Sequence, residues 1–453
     1  MRMLLVSTYE LGHQPLHLAA PAAALAAAGH EVRTLDTSVE PWSDEAVAWA
    51  EAVAFSVPMH TAMRLALRAS AAVRTTRPEL PICFYGLYAT VSRQLTAAGL
   101  ADFAIAGEYE AGLLAWVEGL AGKVPATVAG TVVDLGRRRS AAGPPPRRAG
   151  LPPLARYAHL ALGEDHHPAG YVEASRGCLH RCLHCPVPVV YDGRLRVVAD
   201  EVVLADAEAQ VAAGARHLTF GDPDFLNGPQ HSLRIVRALR KRFPEVTFDC
   251  TTKIEHILRH CDLWPELAAS GCLFVVSALE SVNDEILALL GKGHTTAEAA
   301  AAIGLLRRHG IEIRPSFLPF TPWTTLDDVA ALVDFVAALD LVENVDPVQY
   351  TIRLLIPAGS LLEPVLADRL GFYDAERLTW AWESPDPTVD QLQARLAALV
   401  EGSLAAGESI GVTYGRIRAA VSEAAGNDRE RPPVLVGTGG SERRPRLTEP
   451  WFC

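Results

Sequence analysis

The sequence predicts an α/β protein of two unlike halves: a doubly wound parallel sheet over residues 1–125, then further strand–helix repeats over residues 158–372. Three observations carry that prediction. Short apolar runs alternate with alanine- and leucine-rich helical periods in both halves, the pattern of βα units that pair in parallel. Between the halves, Asp134–Leu154 (DLGRRRSAAGPPPRRAGLPPL) is rich in Pro, Gly and Arg without apolar periodicity. It reads as an exposed connector inside a 126–157 linker, its arginines keeping it solvated. At 453 residues the chain has room for two or three domains and a large core.

In the first half, Met3–Ser7 is a short apolar strand and Leu16–Ala28 a helix ending at Gly29. Glu31–Leu35 and Ala52–Val57 follow as strands, and Thr61–Arg74 as a helix stopped before Pro78. Pro81–Tyr85 and Phe103–Ala106 bring the set to about five strands, and Ala111–Leu120 is the closing helix. A sheet of this kind takes ligands at the carboxyl ends of its strands. No GxGxxG follows the first strand and no P-loop occurs, so NAD and ATP are weak proposals.

In the second half, Tyr171–Ala174 is β-like, Ala205–Ala213 helical, and His217–Phe220 a strand entering the turn Gly221–Phe225. Thr247–Cys250 and Phe274–Glu280 are further strands; a helix then runs to Leu290 and the turn Gly291–Gly293. Helix Thr296–His309 leads to strand Ile311–Leu318, and Val348–Leu355 is expected as a sixth strand with Tyr350 or Arg353 facing the cavity. Tyr373–Val389, with two tryptophans, and the amphipathic helix Gln391–Ala406 belong to a 373–425 helical cap over the mouth. Residues 426–453 read as a flexible tail.

Lys and Arg number 41 against 53 Asp and Glu, a net charge of −12, which disfavours a nucleic-acid partner. Glu10 interrupts the apolar start, and no run of eighteen apolar residues occurs, so neither a signal peptide nor a membrane span is expected. Eight cysteines, three of them clustered, read as cytoplasmic thiols. Cys83, Cys250, Cys261 and Cys272 are expected as buried small hydrophobes.

The three clustered thiols, Cys178, Cys182 and Cys185, form a C-x₃-C-x₂-C array in GYVEASRGCLHRCLHCPVPVVY, directly after a β-like run and Gly177. Three ligands suit a [4Fe–4S] cluster with one iron left open for substrate chemistry. The alternatives are a zinc knuckle or unrelated thiols. Zinc generally takes a second ligand pair, and His180 and His184 sit in the same tight loop.

This array resembles that of the radical S-adenosylmethionine (SAM) superfamily, which implies a partial (β/α)6 TIM-like barrel. It also implies cleavage of SAM to a 5′-deoxyadenosyl radical, fed by an external flavodoxin- or ferredoxin-type electron donor. His184 stands where the family has an aromatic residue on the adenine. The resemblance extends to Phe274–Asn283 with Gly291-Lys-Gly293, although Ala278 replaces a glycine, and to Pro319–Thr325, although Thr324 replaces an acid. It implies SAM contacts for Asp222, Asp224, Glu280, Ser281 and Arg314. The plainer readings are an acidic turn, a helix N-cap and a surface-facing arginine.

Ahead of that array, Ala26–Val32 (AAAGHEV), Tyr85–Tyr88 (YGLY) and Gly107–Glu110 (GEYE) are similar to segments of the B12-dependent radical SAM class. That implies a cobalamin-binding module with Gly86 and Glu108 at the cofactor, and methyl transfer to an unactivated carbon or phosphorus of a small molecule. The D-x-H-x-x-G that supplies an axial histidine elsewhere is absent. His13 and His17 are expected in a solvated or helix-surface role rather than at cobalt. A module that has lost its cofactor is the alternative.

The end, Leu447-Thr-Glu-Pro-Trp-Phe-Cys453, resembles a small radical SAM family whose chains finish in Cys–Cys/selenocysteine–Ala–Glu–Pro. The resemblance implies a catalytic Cys453 and a chain truncated at a selenocysteine position. It opens a second reading, radical carbon–element chemistry on a metalloid or other soft substrate held by the tail. A non-catalytic cobalamin or redox sensor is the third.

Overall fold

A computed structural model of the chain describes residues 1–92, 99–124, 130–135, 143–426 and 444–449. Strands β1 (Arg2–Ser7), β2 (Glu31–Asp36), β3 (Ala52–Ser56), β4 (Ile82–Tyr85), β5 (Phe103–Gly107) and β6 (Gly130–Asp134) form a parallel sheet in the order β2-β1-β3-β4-β5-β6. Alternation along β1 divides its side chains between two cores. Met3 and Leu5 pack with Leu18, Leu25 and Leu113 from helices Leu16–Ala27 and Tyr109–Leu120. Leu4 and Val6 pack with Met63, Ala66 and Val73 of helix His60–Thr76 on the opposite face. Strand order reverses beside β1, and the crevice at its carboxyl end lies among Thr8–His13, Val57–Met59 and Glu108–Tyr109.

β6 was not expected; it falls in the segment read as linker, so the first domain continues past residue 125. The described part of the linker is anchored too. Arg148 is paired with Asp206 at 2.8 Å and donates to the Tyr171 and Gln14 carbonyls, so it is not a solvating charge.

The second half contains β7 (His159–Leu162), β8 (Asp165–Val172), the short pair β9 (Ser175–Gly177) and β10 (Leu195–Val197), then β11 (His217–Phe220) and β12 (Thr247–Thr251). β13 (Cys272–Glu280), β14 (Glu312–Phe317), β15 (Tyr373–Asp374), β16 (Thr379–Trp380) and β17 (Arg446–Leu447) complete it. The main sheet runs β14-β13-β12-β11-β8-β7-β17, parallel from β8 to β14 with antiparallel β7 and β17 at one edge. This is the expected partial barrel with one strand fewer. The place of the sixth strand holds the turn Pro347–Tyr350 and a single bridge from Phe320 to Arg353. Pro347 lacks the N–H a ladder needs. Tyr350 and Arg353 are engaged by the protein itself: Tyr350 packs on Tyr414, and Arg353 pairs with Asp390 and stacks on Trp382.

Helices Pro387–Ala405 and Ile410–Ala424 join the barrel core beside helix Leu326–Ala338, where Tyr414 donates to the Val333 carbonyl. They therefore extend the outer helix layer instead of capping the mouth. The preceding stretch, with Leu362, Leu366 and Trp382, forms a cluster against Leu290 and Leu318. It reaches the first domain through Leu378 and through the Arg377 carbonyl, 2.7 Å from His60 Nε2.

The expected flexible tail is corrected at residues 444–449. Arg446 and Leu447 pair with β7, and Tyr9 donates to Glu449 at 3.3 Å. Cys453 lies outside the described residues. Cys83, Cys250 and Cys272 are buried as expected, but Cys261 is exposed. Among the described residues, no helix is long and apolar enough to cross a membrane.

Candidate active site

The thiol loop leaves the barrel at the carboxyl end of β8 and is closed at its neck by the antiparallel pair β9–β10, with Gly177 opposite Leu195. Gly177 has φ +73°, and a Cβ there would lie 2.2 Å from the Arg194 carbonyl oxygen, so only glycine fits. Beyond it, Asn227 Nδ2 donates to Cys178 Sγ at 3.5 Å, Cys185 N to the Cys182 carbonyl at 3.2 Å, and Leu183 N to the Leu290 carbonyl at 2.9 Å.

Burial pushes the Cys178 thiol up and that of Cys185 up to about 12, and each also senses another cysteine of the trio. His184 is bonded to Glu280 and His180 faces Asp224, so neither imidazole of the loop joins the thiols. Three thiols on one short loop, with no histidine beside them, fit an iron–sulfur cluster with one iron left open.

Glu280 ends β13 with φ +66°, where the register against β14 shifts. Its Oε1 accepts from His184 Nε2 at 3.0 Å and from Lys292 Nζ at 3.3 Å. Burial opposes the charge, but Lys292 and His184 hold the carboxyl down at about 2. Glu280 thus grips the thiol loop one residue before Cys185. Ser281 accepts from Asn283 N at 3.1 Å.

Asp222 accepts from Ala174 N at 2.9 Å and Ser175 Oγ at 2.5 Å, and burial lifts its pKa to about 7. It ties the end of β8 to the turn after β11. Asp224 caps the turn Phe225–Asn227 through Leu226 N, with Oδ2 directed at His180 and His256.

Arg314 departs from expectation. It donates to the Glu343 carbonyl at 2.9 Å and pairs with Asp346 at 3.1 Å, so its anion is already supplied by the protein. Lys253 and Glu255, 3.6 Å apart, lie against Gly293 of the turn that carries Lys292. Ammonium and carboxylate groups together at the mouth suit a zwitterion such as the methionine part of SAM.

Between this loop and the first domain runs a buried relay of charges. Glu10 accepts from His17 Nδ1 at 2.9 Å, and His17 Nε2 lies 3.3 Å from Glu173. Glu173 accepts from Arg176 at 2.8 Å, and Arg176 pairs with Glu110 at 2.8 Å and Glu108 at 3.6 Å. Tyr191 donates to Glu108 at 2.9 Å. Burial works against a charged His17, yet Glu10 and Glu173 raise its pKa to about 10. Burial likewise opposes a charged Glu173, but His17 and Arg176 bring it to about 2.

Neither His13 nor His17 is on a solvated surface. His13 stacks on Tyr171 at 4.6 Å, and burial lowers its pKa to about 4. The sequence did not mark Glu10, Glu173, Arg176, Lys253 or Lys292 as site residues, although Glu173 and Arg176 lie inside the quoted thiol segment and Lys292 inside the quoted Gly291–Gly293 turn.

A 160 Å³ cavity follows this relay, walled by Leu11, Pro58, Met59 and Leu87 from the first domain and by Gly177, Val187 and Tyr191 beside the thiols. A 380 Å³ cavity adjoins it, sharing Glu173 and Arg176. The apolar side of this lining suits a corrin face, and the other side carries the charges of Glu10, His17, Glu173 and Arg176. His17, bonded through both ring nitrogens to carboxylates, has no lone pair to offer cobalt. Gly86 has a packing reason instead: a Cβ would come within 3.1 Å of the Val57 backbone.

Two family models match the chain: the B12 binding domain over residues 2–117 and the radical SAM superfamily over residues 172–336. An uncharacterized methyltransferase of Pyrococcus horikoshii is 24% identical over 204 residues, 45% of this chain and 43% of that protein. The hopanoid C-3 methylase of Methylococcus capsulatus is 25% identical over 327 residues, 68% of this chain and 62% of that protein. The chain thus spans less than two thirds of either relative. Among solved structures, the cobalamin-dependent SAM radical enzyme OxsB with aqua-cobalamin bound matches with a TM-score of 0.68 at 15% identity, over 89% of this chain and 67% of that one. The radical SAM methyltransferase TsrM from Kitasatospora setae matches with a TM-score of 0.60 at 21% identity, over 75% and 71%. At these identities the structural likeness speaks for the fold.

Proposed function

The chain joins a B12-binding domain to a radical SAM domain, and on that premise we propose a cobalamin-dependent enzyme that moves a methyl group from SAM to carbon or phosphorus of a small molecule. The observation that carries this reading is the seat of the thiol loop, with the barrel mouth on one side and the strand ends of the first domain on the other. When bound, the cluster supplies an electron to SAM, and cobalamin a carrier for the methyl group.

The chain's own part is to hold and exclude. Cys178, Cys182 and Cys185 would hold three irons, and Glu280 would fix the loop through His184. Lys253 and Glu255 would meet the charged end of SAM, with Asp222, Asp224 and Ser281 shaping the turns around it. Pro58, Met59, Leu87 and Val187 would keep water from the cobalamin face, while Glu108 and Gly86 shape the wall behind them. An external flavodoxin- or ferredoxin-type protein would deliver electrons.

Anaerobic loading with iron, sulfide and hydroxocobalamin, then SAM bearing a deuterated methyl group and a reductant, tests the reading. About four irons and one cobalt per chain, with labelled methylcobalamin and 5′-deoxyadenosine, are expected. A fully loaded protein that leaves SAM intact would instead be a sensor. Replacing any one of the three cysteines by alanine should abolish both products.

A second reading keeps the tail in play. Gly12 abuts the Glu449 side chain beside the interdomain cavity, and Cys453 lies four residues further on. On this reading C453S lowers turnover of a soft, thiol-binding substrate such as an arsenite and leaves SAM cleavage unchanged; equal turnover by the variant removes it.

A further inference from the structure

Below the thiol loop, three side chains from three separate elements converge. His180 comes from the loop itself, Asp224 from the turn after β11, and His256 from the helix Ile254–Arg259. Their ligand atoms all lie within 4.8 Å of one another, with His180 Nε2 at 3.3 Å and His256 Nδ1 at 2.8 Å from Asp224 Oδ2. Asp224 and His256 are buried and His180 nearly so.

The orientation of these atoms is more telling than their spacing. His180 Nε2, Asp224 Oδ2 and His256 Nδ1 are each shut off from solvent, and none has an aligned hydrogen bond. Their two close approaches, 3.3 and 2.8 Å, are ion-pair contacts of these atoms with one another. Three buried polar atoms that meet only one another are costly to bury and suit an ion at that point.

The surroundings restrain all three. Asp224 Oδ1 is fixed by Leu226 N at 3.0 Å. The far nitrogen of His180, Nδ1, lies 3.6 Å from Glu255 Oε2 and 3.3 Å from Lys253 Nζ. The Lys253 ammonium donates to that nitrogen, and the Glu255 carboxylate lies beyond hydrogen-bond length, so the ring is held from behind by a charged pair.

We infer that His180, Asp224 and His256 form a second metal site, separate from the three-thiol site, for one divalent cation of the zinc or ferrous class. Two imidazole nitrogens and a carboxylate oxygen match the hardness and geometry of those ions, with coordination positions left open. The bound cation would tether the loop between Cys178 and Cys182 to the barrel strands beneath it, so that loop geometry depends on an ion other than the cluster.

The inference does not depend on the proposed reaction and is tested apart from it. The full chain with Cys178, Cys182 and Cys185 all changed to alanine is stripped with chelator, incubated with zinc alone and desalted. One zinc per chain is expected, with an X-ray absorption shell of nitrogen and oxygen near 2.0–2.1 Å and no sulfur. H256Q in the same background should weaken retention at least tenfold, with circular dichroism confirming its fold. A sulfur-bearing shell, absence of zinc from the triple variant, or equal zinc in H256Q would overturn the site. Iron content of the unmutated thiol loop reports on the cluster separately.

Discussion

Cys185 is held protonated by its burial, its pKa raised to about 12, and Cys178 is shifted the same way. Cluster assembly on these thiols must therefore expel protons, because only thiolates ligate iron. Iron uptake by the apo-protein should fall as pH is lowered from about 8.5 to 6.5, read as absorbance of the reconstituted cluster. Glu280 carries the complementary lesson. It is an ionised carboxylate in a left-handed backbone conformation, satisfied by His184 and Lys292. Glu280→Ala leaves the Lys292 ammonium buried without its counter-charge. Urea denaturation of the apo-protein should show a loss of about 3 kcal/mol, with weaker cluster retention from the freed loop.

Among the elements, the β9–β10 neck decides whether three sulfurs scattered over eight residues become one site. Its tightest point is Gly177, where an added methyl group meets the Arg194 carbonyl. Gly177→Ala must open the neck or twist it, so the variant should fold, as judged by circular dichroism, yet bind less than half the wild-type iron per chain. The missing sixth strand belongs to the same scale. Val348–Leu355 has the composition of a strand, but Pro347 cannot donate to a ladder and Arg353 is drawn outward by Asp390 and Trp382. Local propensity lost to tertiary partners there. At Arg446–Leu447 the reverse occurred: a polar stretch with no strand signal became an edge strand because β7 offered an open ladder.

Across the whole molecule, the relay from Glu10 to Glu110 joins the two domains where the proposed cofactors would meet, and its histidine makes that junction sensitive to alkali. The pKa of His17 is raised from 6.5 to about 10, so its contribution is complete below pH 6.5 and drains away as pH climbs toward 10. Glu173 is lowered from 4.5 to about 2, so its share is complete above 4.5 and is lost as pH falls toward 2. Thermal stability should decline between pH 6.5 and 9, and His17→Gln should flatten that decline while lowering the melting temperature at pH 6.5. An unchanged slope in the variant would assign the alkaline loss elsewhere.

The parallel strands, the thiol array and the division into two domains were legible in the chain. They rest on periodicity and on chemistry confined to a few consecutive residues, which need no knowledge of distant neighbours. The acids and histidines were legible only as residue types. Glu108, Glu280 and Arg314 looked like ligands for cofactors, but each has a protein counter-ion between 12 and 68 positions away, at Arg176, Lys292 and Asp346. The convergence of His180, Asp224 and His256 likewise spans 77 positions and left no local trace. Backbone pattern is written along the chain, whereas the partner of a buried charge is chosen by whichever opposite charge the fold brings near, since burial makes an unpaired one too costly.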